Sequence, residues 1–156
     1  GLMRVLFVCL GNICRSPTAE GVLRHKLRMA GLDNLVEVDS VGTGDWHVGK
    51  GVDPRTAEAA LRRGYDLSAL RGRQVAPADF ARFDLILAMD TQNLKDLQRM
   101  RPSTSTAEVD LFLRRYQGAR DEVPDPYYGG AAGFDEVLDL VEHACDALMH
   151  ELRGRL

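Results

Sequence analysis

The residue types best suited to chemistry lie together near the start of the chain, in the segment from Cys9 to Ser16. An apolar run over residues 5–8 precedes this segment and a helical pattern follows it, so we predict a strand, a loop and a helix, with Ser16 as the N-cap and Pro17 as the first helical residue. The backbone N–H groups of such a loop can turn inward, and the helix dipole adds positive potential at the same point. This pattern predicts an anion-binding loop.

The side chains of this loop indicate phosphate-ester chemistry. Arg15 can donate two parallel hydrogen bonds to phosphate oxygens. A helix N-terminus near an arginine stabilises a thiolate, so we expect Cys9 to be a nucleophile. Ser16 can donate its hydroxyl to that thiolate, and Asn12 tolerates the left-handed backbone of a tight loop. The residues predicted to bind phosphate are Leu10, Gly11, Asn12, Ile13, Cys14 and Arg15.

A second residue with a predicted chemical role is Asp125, which lies between Pro124 and Pro126. Phenolate is a poor leaving group unless it is protonated, so attack on a phenyl phosphate needs an acid at the bridging oxygen. Proline restricts the preceding residue to extended backbone, which fixes the approach of that acid. We predict that Asp125 is the general acid and that an aromatic slot, favouring phosphotyrosine over phosphoserine, is walled by Trp46, Tyr127 and Tyr128.

The segment from Cys9 to Ser16 resembles the Cys-x5-Arg-Ser signature of the low-molecular-weight protein tyrosine phosphatases. Residues 89–94 and 125–129 resemble later motifs of that family, and Ser40 stands where the family has a serine that supports the loop asparagine. One position departs from the pattern: Leu70 stands where the family often has a histidine that helps hold the serine and the asparagine. The resemblance covers essentially the whole chain and leaves open how Asn12 and Ser40 are held.

The resemblance implies a metal-free and cofactor-free hydrolysis in two steps, with a phosphocysteine on Cys9, Arg15 on the phosphate and Asp125 as the acid. It implies a tyrosine-phosphorylated protein as the partner, with a cognate tyrosine kinase as a candidate. Two rivals share the fold. An arsenate reductase needs further cysteines near the site, and only Cys145 lies beyond the loop; an arginine phosphatase of the family has a threonine in place of Ile13. A third rival is a phosphotyrosine-binding module without catalysis.

The elements that must position these residues alternate along the chain. We predict further strands over residues 36–41, 85–88 and 109–113, and helices from Asp53-Pro54 through residues 61–63, over residues 91–100 and from near Phe134 onward. The alternation predicts a single α/β domain over residues 3–156, with a four-stranded parallel sheet, helices on both faces and a ligand site beyond the carboxyl ends of the strands. The resemblance implies the Rossmann-like fold of the phosphotyrosine phosphatase I type. Gly1 and Leu2 are interpreted as an expression remnant.

Composition restricts the partners. The formal net charge of -3 and a pI near 5.8 give no general electrostatic reason to bind nucleic acid. The sequence lacks the run of roughly 20 apolar residues that a membrane helix needs, so we expect no membrane insertion. Three cysteines are an odd number, which favours reduced thiols and a cytoplasmic location, and they lack the second ligand pair of a metal site.

Several residues carry a weaker signal. Cys14 is either a packing residue or the partner of Cys9 in a reversible disulfide, and the sequence leaves both roles open. Asp90 is predicted to be a helix N-cap. No chemistry is assigned to the four histidines, which are His25, His47, His143 and His150.

Overall fold

The computed structural model describes residues 2–156, and its central element is the strand β1, Met3–Cys9. Residues 5–8 of β1 are completely buried, as expected for a strand covered on both faces. The other strands are β2, Val36–Gly42; β3, Leu85–Ala88; and β4, Glu108–Leu111. Within the described residues these four form one parallel sheet in the order β2-β1-β3-β4. The predicted four-stranded parallel α/β fold is confirmed.

The helices connect the strands and cover both faces of the sheet. They are α1, Arg15–Met29; α2, Pro54–Arg62; α3, Asp79–Arg82; α4, Thr91–Met100; α5, Phe112–Arg115; and α6, Ala132–Arg155, with a single 3-10 turn over Pro126–Tyr128 before α6. Asp53 caps α2 by accepting the N–H of Arg55, and the predicted start of that helix is confirmed. Among residues 2–156, no helix combines the length and the apolar composition needed to cross a membrane.

Alternate residues of β1 build two separate cores, because successive side chains of a strand point to opposite faces. Val5 and Phe7 pack with α1 and α6, whereas Leu6 and Val8 pack with residues of α3 and α4. The predicted apolar stripe of α6 is buried in the first core along its length. With both faces covered, the carboxyl edge of the sheet stays open to a ligand.

The prediction of β4 over residues 109–113 is wrong at its end. The strand covers Glu108–Leu111, and the chain turns into α5 at Phe112. A strand would send Phe112 and Leu113 to opposite faces, whereas the helical turn buries both in the core that contains Phe7. The ring of Phe112 contacts that of Phe7 edge-on, with centroids 5.2 Å apart.

Candidate active site

A cavity of 380 Å³ opens at the carboxyl edge of the sheet, where β1 ends and α1 begins. It brings together loop residues 9–11 and 13–15 with Asp125 and the three predicted wall residues, Trp46, Tyr127 and Tyr128. His47, to which the sequence assigned no chemistry, also lines it. Segments separated by more than a hundred residues in sequence therefore meet in one cavity.

The thiol of Cys9 lies at the buried end of this cavity and is 2% exposed. Its Sγ is 3.0 Å from Ser16 Oγ and 3.2 Å from the backbone N of Asn12, which donates to it. The prediction that Ser16 is the N-cap is wrong, because α1 begins at Arg15 and Ser16 lies inside the first turn. From that position the serine hydroxyl faces the sulfur, where it can stabilise negative charge.

Asn12 holds the loop in its curved conformation. Its backbone has φ 56°, the left-handed region that was expected for this residue type. Its side-chain Nδ2 donates to Ser16 Oγ at 2.9 Å and to Ser40 Oγ at 3.0 Å, and its Oδ1 accepts the N–H of Arg73 at 2.9 Å. Leu70 packs at the margin of the core instead of joining this network. The backbone of Arg73 and the hydroxyl of Ser40 thus hold Asn12 without a histidine.

Glu20 extends this network behind the loop and was missed by sequence reasoning. It is 2% exposed and accepts the hydroxyl of Ser40 at 2.7 Å and Nε of Arg24 at 2.8 Å. Burial raises the pKa of this carboxyl, and the bonds from Ser40 and Arg24 oppose the shift. The available signal was the spacing, because Glu20 and Arg24 are four residues apart on one helix.

Arg15 is held in place by groups from distant parts of the chain. It is 3% exposed, and its Nη1 donates to Asp90 Oδ2 at 2.6 Å and to the carbonyl of Val123 at 3.2 Å. Its Nη2 is 3.6 Å from Asp125 Oδ2. Burial acts to lower the pKa of Arg15, but Cys9 and Asp90 outweigh it and raise that pKa. The guanidinium therefore stays charged at the base of the cavity.

Asp90 has two structural roles, of which the sequence indicated one. It caps α4 through a capping box with Asn93, which confirms the predicted N-cap. Its other carboxylate oxygen, Oδ2, accepts the bond from Arg15. Sequence separation hid this pairing, since the two residues are 75 positions apart.

The loop of Asp125 forms the outer side of the cavity. Asp125 Oδ1 accepts the N–H of Tyr127 at 3.0 Å, which starts the 3-10 turn, while its Oδ2 faces Arg15. The rings of Tyr127 and Tyr128 meet edge-on at 5.0 Å, and Tyr128 is 89% exposed. The turn thus orients the carboxyl group of Asp125 toward the guanidinium of Arg15.

The segment after β2 is hydrogen-bonded directly to the predicted anion-binding loop between β1 and α1, which we call the phosphate loop. Thr43 and Gly44 donate their N–H groups to the carbonyls of Cys9 and Leu10, each at 2.9 Å. A Cβ at Gly42 would lie 2.7 Å from the carbonyl oxygen of Leu10, so only glycine lets the two backbones approach this closely. This contact places Trp46 beside the loop.

The two other cysteines differ from Cys9 in their surroundings. Burial raises the pKa of the Cys14 thiol to about 12, and burial in the core also raises the pKa of Cys145. We therefore expect iodoacetate at about neutral pH to alkylate Cys9 first, because the thiolate is the reactive form. As the pH is raised toward about 12, labelling of Cys14 should increase about tenfold for each pH unit, because its thiolate fraction increases by that factor.

Peptide mapping after timed labelling measures this order, and inorganic phosphate should protect Cys9 from alkylation. Equal labelling of Cys9 and Cys14 in the folded protein at neutral pH would contradict it. The two roles predicted for Cys14, packing and a reversible disulfide, both stay predictions.

A parallel α/β sheet that presents a buried thiol, an arginine and an aspartate in one cavity defines the class of cysteine-dependent phosphate-ester hydrolases. The family model described as "Low molecular weight phosphotyrosine protein phosphatase" matches residues 4–155, and the chain belongs to this family.

Similar proteins agree with this assignment. A low molecular weight protein-tyrosine-phosphatase of Streptomyces coelicolor is 47% identical, over 98% of this chain and 95% of its own. The crystal structure of a protein tyrosine phosphatase from Entamoeba histolytica, with Hepes in the active site, superposes with a TM-score of 0.92 at 39% identity, covering 99% of both chains. The structure of a Drosophila arginine phosphatase has a TM-score of 0.89 at 31% identity, over 96% of this chain and 98% of its own.

Proposed function

We propose that this chain hydrolyses phosphotyrosine in proteins, and small aryl phosphates, through a phosphocysteine on Cys9. The observation that carries the proposal is the position of Cys9 Sγ, at the buried end of a cavity whose other walls supply Arg15, Asp125 and aromatic rings. The thiolate attacks phosphorus in line, a sulfur–phosphorus bond forms and the bond from phosphorus to the phenolic oxygen breaks. In the second step water attacks phosphorus and the thiolate leaves.

Asp125 is the group that we assign to proton transfer. Its carboxyl lines the same cavity as Cys9, and its Oδ2 is 3.6 Å from Arg15 Nη2, so in the first step it can give its proton to the phenolic oxygen. In the second step the same carboxylate takes a proton from the attacking water. Ser16 supports both steps from behind, because its hydroxyl faces Sγ and stabilises the thiolate as nucleophile and as leaving group.

Arg15 and the loop backbone are assigned to the charge on the transferring phosphoryl group. A guanidinium that is already fixed by Asp90 and the carbonyl of Val123 need not reorganise as that charge develops. The supporting residues Asn12 and Ser40 keep the loop in the geometry that this requires. This preorganisation supports catalysis without a metal ion or a cofactor.

Two features favour a phenyl ester over other phosphate monoesters. The phosphate site is deep, and Trp46, Tyr127 and Tyr128 stand above it, so a flat ring can fill the space between them. Ile13 presents apolar bulk to the leaving group, where a threonine would offer a hydroxyl. Arsenate reduction is disfavoured because it needs further cysteines near the site, and Cys145, the one cysteine beyond the loop, is fully buried in the core.

The test compares initial rates, in excess chelator, on matched phosphotyrosine, phosphoserine and phosphoarginine peptides. We expect chelator-resistant preference for phosphotyrosine that is lost in Cys9→Ser. A higher rate on phosphoarginine would place the chain with the arginine phosphatases. This alternative is included because the Drosophila arginine phosphatase has the same fold. Phosphopeptide binding with no turnover would favour a binding module.

We further propose a tyrosine-phosphorylated protein as the partner, with a cognate tyrosine kinase as a candidate, and the cytoplasm as the site of action. Nucleophilic attack needs a reduced Cys9, and the cysteines of the described residues are all free thiols. A reducing compartment preserves that state.

Arg55 is expected to position the acid loop. It donates to the carbonyl of Tyr127 at 3.1 Å and to Asp53 at 3.0 Å, and the N–H of Asp53 donates to the carbonyl of Ile13 at 3.0 Å. Arg55 therefore links the loop of Asp125 to the phosphate loop. Arg55→Met should lower kcat/KM for phenyl phosphate about tenfold, because a small misplacement of the acid weakens proton transfer to the leaving group.

The effect of Arg55→Met should be smaller for an ester with a better leaving group, and Arg55→Lys should restore part of the rate. Arg62→Met is the matched control, since Arg62 lies on the same helix and pairs with Glu58 at the surface. Stopped or continuous rate assays measure the series. An unchanged kcat/KM for phenyl phosphate in Arg55→Met would remove this residue from the positioning of Asp125.

A further inference from the structure

A second cleft adjoins the catalytic cavity on the other side of Trp46. It has a volume of 370 Å³ and lies between the loops that carry Leu10 and Trp46 and the α4 residues Asp96, Arg99 and Met100. Leu10 and Trp46 line both spaces. The two clefts are therefore neighbours that share one partition, and a molecule seated in the first can reach the second.

Trp46 is held as that partition by the backbone beneath it. A Cβ at Gly44 would lie 2.1 Å from Cζ3 of the indole, so the ring rests directly on a residue without a side chain. Gly44 in turn donates its N–H to the carbonyl of Leu10 at 2.9 Å. The indole is 64% exposed even though its underside is packed. The exposed part of Trp46 contributes to the lining of both clefts.

The surface of the second cleft is mainly apolar. Leu10 is 42% exposed and Met100 is 36% exposed, and they flank the exposed indole. The two charged residues at the rim, Asp96 and Arg99, form an ion pair with each other. Because this pair is neutral as a unit, the cleft offers apolar contact instead of a net charge. Contiguous exposed apolar side chains beside a binding cavity are typical of a recognition surface.

We propose that this cleft binds an apolar side chain of the phosphoprotein substrate, two residues away from the phosphotyrosine. The proposal rests on the proposed function of the catalytic cavity. In an extended peptide, side chains two positions apart point to the same face and are separated by about 7 Å. Because Leu10 and Trp46 line both clefts, a side chain on the same face of the peptide as the phosphotyrosine is placed to enter the second cleft, whereas the adjacent side chains point away from the enzyme.

Specificity for one phosphopeptide over another then comes from a substrate residue that takes no part in the hydrolysis. A small aryl phosphate fills the catalytic cavity alone, so the second cleft leaves its rate unchanged. A phosphopeptide with leucine at the correct position gains apolar contact with Leu10, Trp46 and Met100. Serine at that position gains little.

The experiment measures kcat/KM on extended phosphotyrosine peptides that carry leucine or serine, one position at a time, from two residues before to two residues after the phosphotyrosine. We expect a preference for leucine of about threefold to tenfold at one of the two outer positions. Met100→Gln should reduce that preference to less than about twofold, because it replaces an apolar chain with a polar one of similar length and helix propensity.

The matched control is Met29→Gln, because Met29 is an exposed methionine at the end of α1, outside both clefts. Met29→Gln should keep the leucine preference, and both variants should hydrolyse para-nitrophenyl phosphate at the wild-type rate. Absence of a leucine preference at the outer positions, a preference only at an adjacent position, or a preference that survives Met100→Gln would overturn the proposal.

A binding measurement separates this inference from the proposed function. The same peptides are titrated into Cys9→Ser, alone and combined with Met100→Gln, and the leucine preference should reappear in Kd and again depend on Met100. If wild type fails to turn over any substrate, the proposed function is wrong, and the binding series still decides whether the cleft reads the flanking residue.

Discussion

Cys9→Ser should lower kcat on phosphotyrosine peptides and on para-nitrophenyl phosphate by at least about 10⁴-fold, the size of effect seen when a covalent nucleophile is removed. A serine hydroxyl at this position is far less nucleophilic than a thiolate, and the surrounding donors do not convert it into an alkoxide. Ser16 Oγ and the N–H of Asn12, which face the sulfur at 3.0 Å and 3.2 Å, would face a neutral oxygen instead. The chemical step is therefore removed.

Binding of phosphate should survive the same change. Arg15 is held by Asp90 and Val123, and Asn12 is held by Ser40 and Arg73, so the anion site does not depend on the sulfur. Calorimetric titration with inorganic phosphate at fixed ionic strength measures this property. We expect Kd within about tenfold of the wild-type value, because the guanidinium and the loop amides supply most of the attraction.

The matched control is Cys145→Ala. It removes a buried thiol of α6 from the core that contains Val5 and Phe7. It should keep kcat near the wild-type value while lowering stability modestly through the small cavity that it leaves. Circular dichroism and thermal unfolding check the fold of both variants. If Cys9→Ser retained more than about a hundredth of the activity, covalent catalysis by Cys9 would be excluded.

The second large effect is expected from Asp125→Asn. General acid catalysis contributes about 10²-fold to 10⁴-fold, and an amide has no proton of suitable acidity to give. We therefore expect kcat/KM for phenyl phosphate, which reports the steps up to phosphocysteine formation, to fall by about 10²-fold or more. The kcat/KM for a dinitrophenyl phosphate, whose phenolate leaves without protonation, should fall far less. The ratio between the two substrates identifies proton transfer as the step that is lost.

Asparagine is preferred to alanine here for a structural reason. Asp125 Oδ1 accepts the N–H of Tyr127 and so begins the 3-10 turn, and the oxygen of an asparagine side chain can accept the same bond. The loop thus keeps its shape while the acid is lost. Asp121→Asn is the matched control, since Asp121 is an exposed aspartate in the same connection. Equal slowing of both substrates by Asp125→Asn would remove Asp125 as the acid.

Local sequence patterns were sufficient to predict most of the strands and helices. The buried strand of residues 85–88, the helix of residues 91–100 and the Asp53 cap of α2 all follow the prediction, because periodicity and caps act over a few residues. The errors lie at junctions. Ser16 was taken as a cap, but it lies inside the first turn of α1 and its hydroxyl faces the Cys9 sulfur. Residues 112–113 were taken as strand, and there a contact from a distant segment favours the helical turn, because Phe112 packs against Phe7.

By itself, the sequence determined the kind of chemistry. Cys9, Arg15 and Ser16 fall at a spacing that a strand–loop–helix unit converts into a thiol, a guanidinium and a hydroxyl around one anion site, so those residues were found without coordinates. The acid role of Asp125 was predicted from its prolines, its aromatic neighbours and the family resemblance, and it stays a prediction. Each of these signals involves residues that are close together in the sequence, so it can be recognised without the fold.

The tertiary structure alone decided what holds and surrounds that chemistry. Asp90 meets Arg15, Glu20 meets Ser40, and the backbone of Arg73 meets Asn12 because parallel strands end at the same edge of the sheet, whatever their separation along the chain. Such pairs leave no periodic trace, since each is created by packing between elements. The cleft behind Trp46 arises in the same way, from two loops and α4, and only the folded chain reveals it.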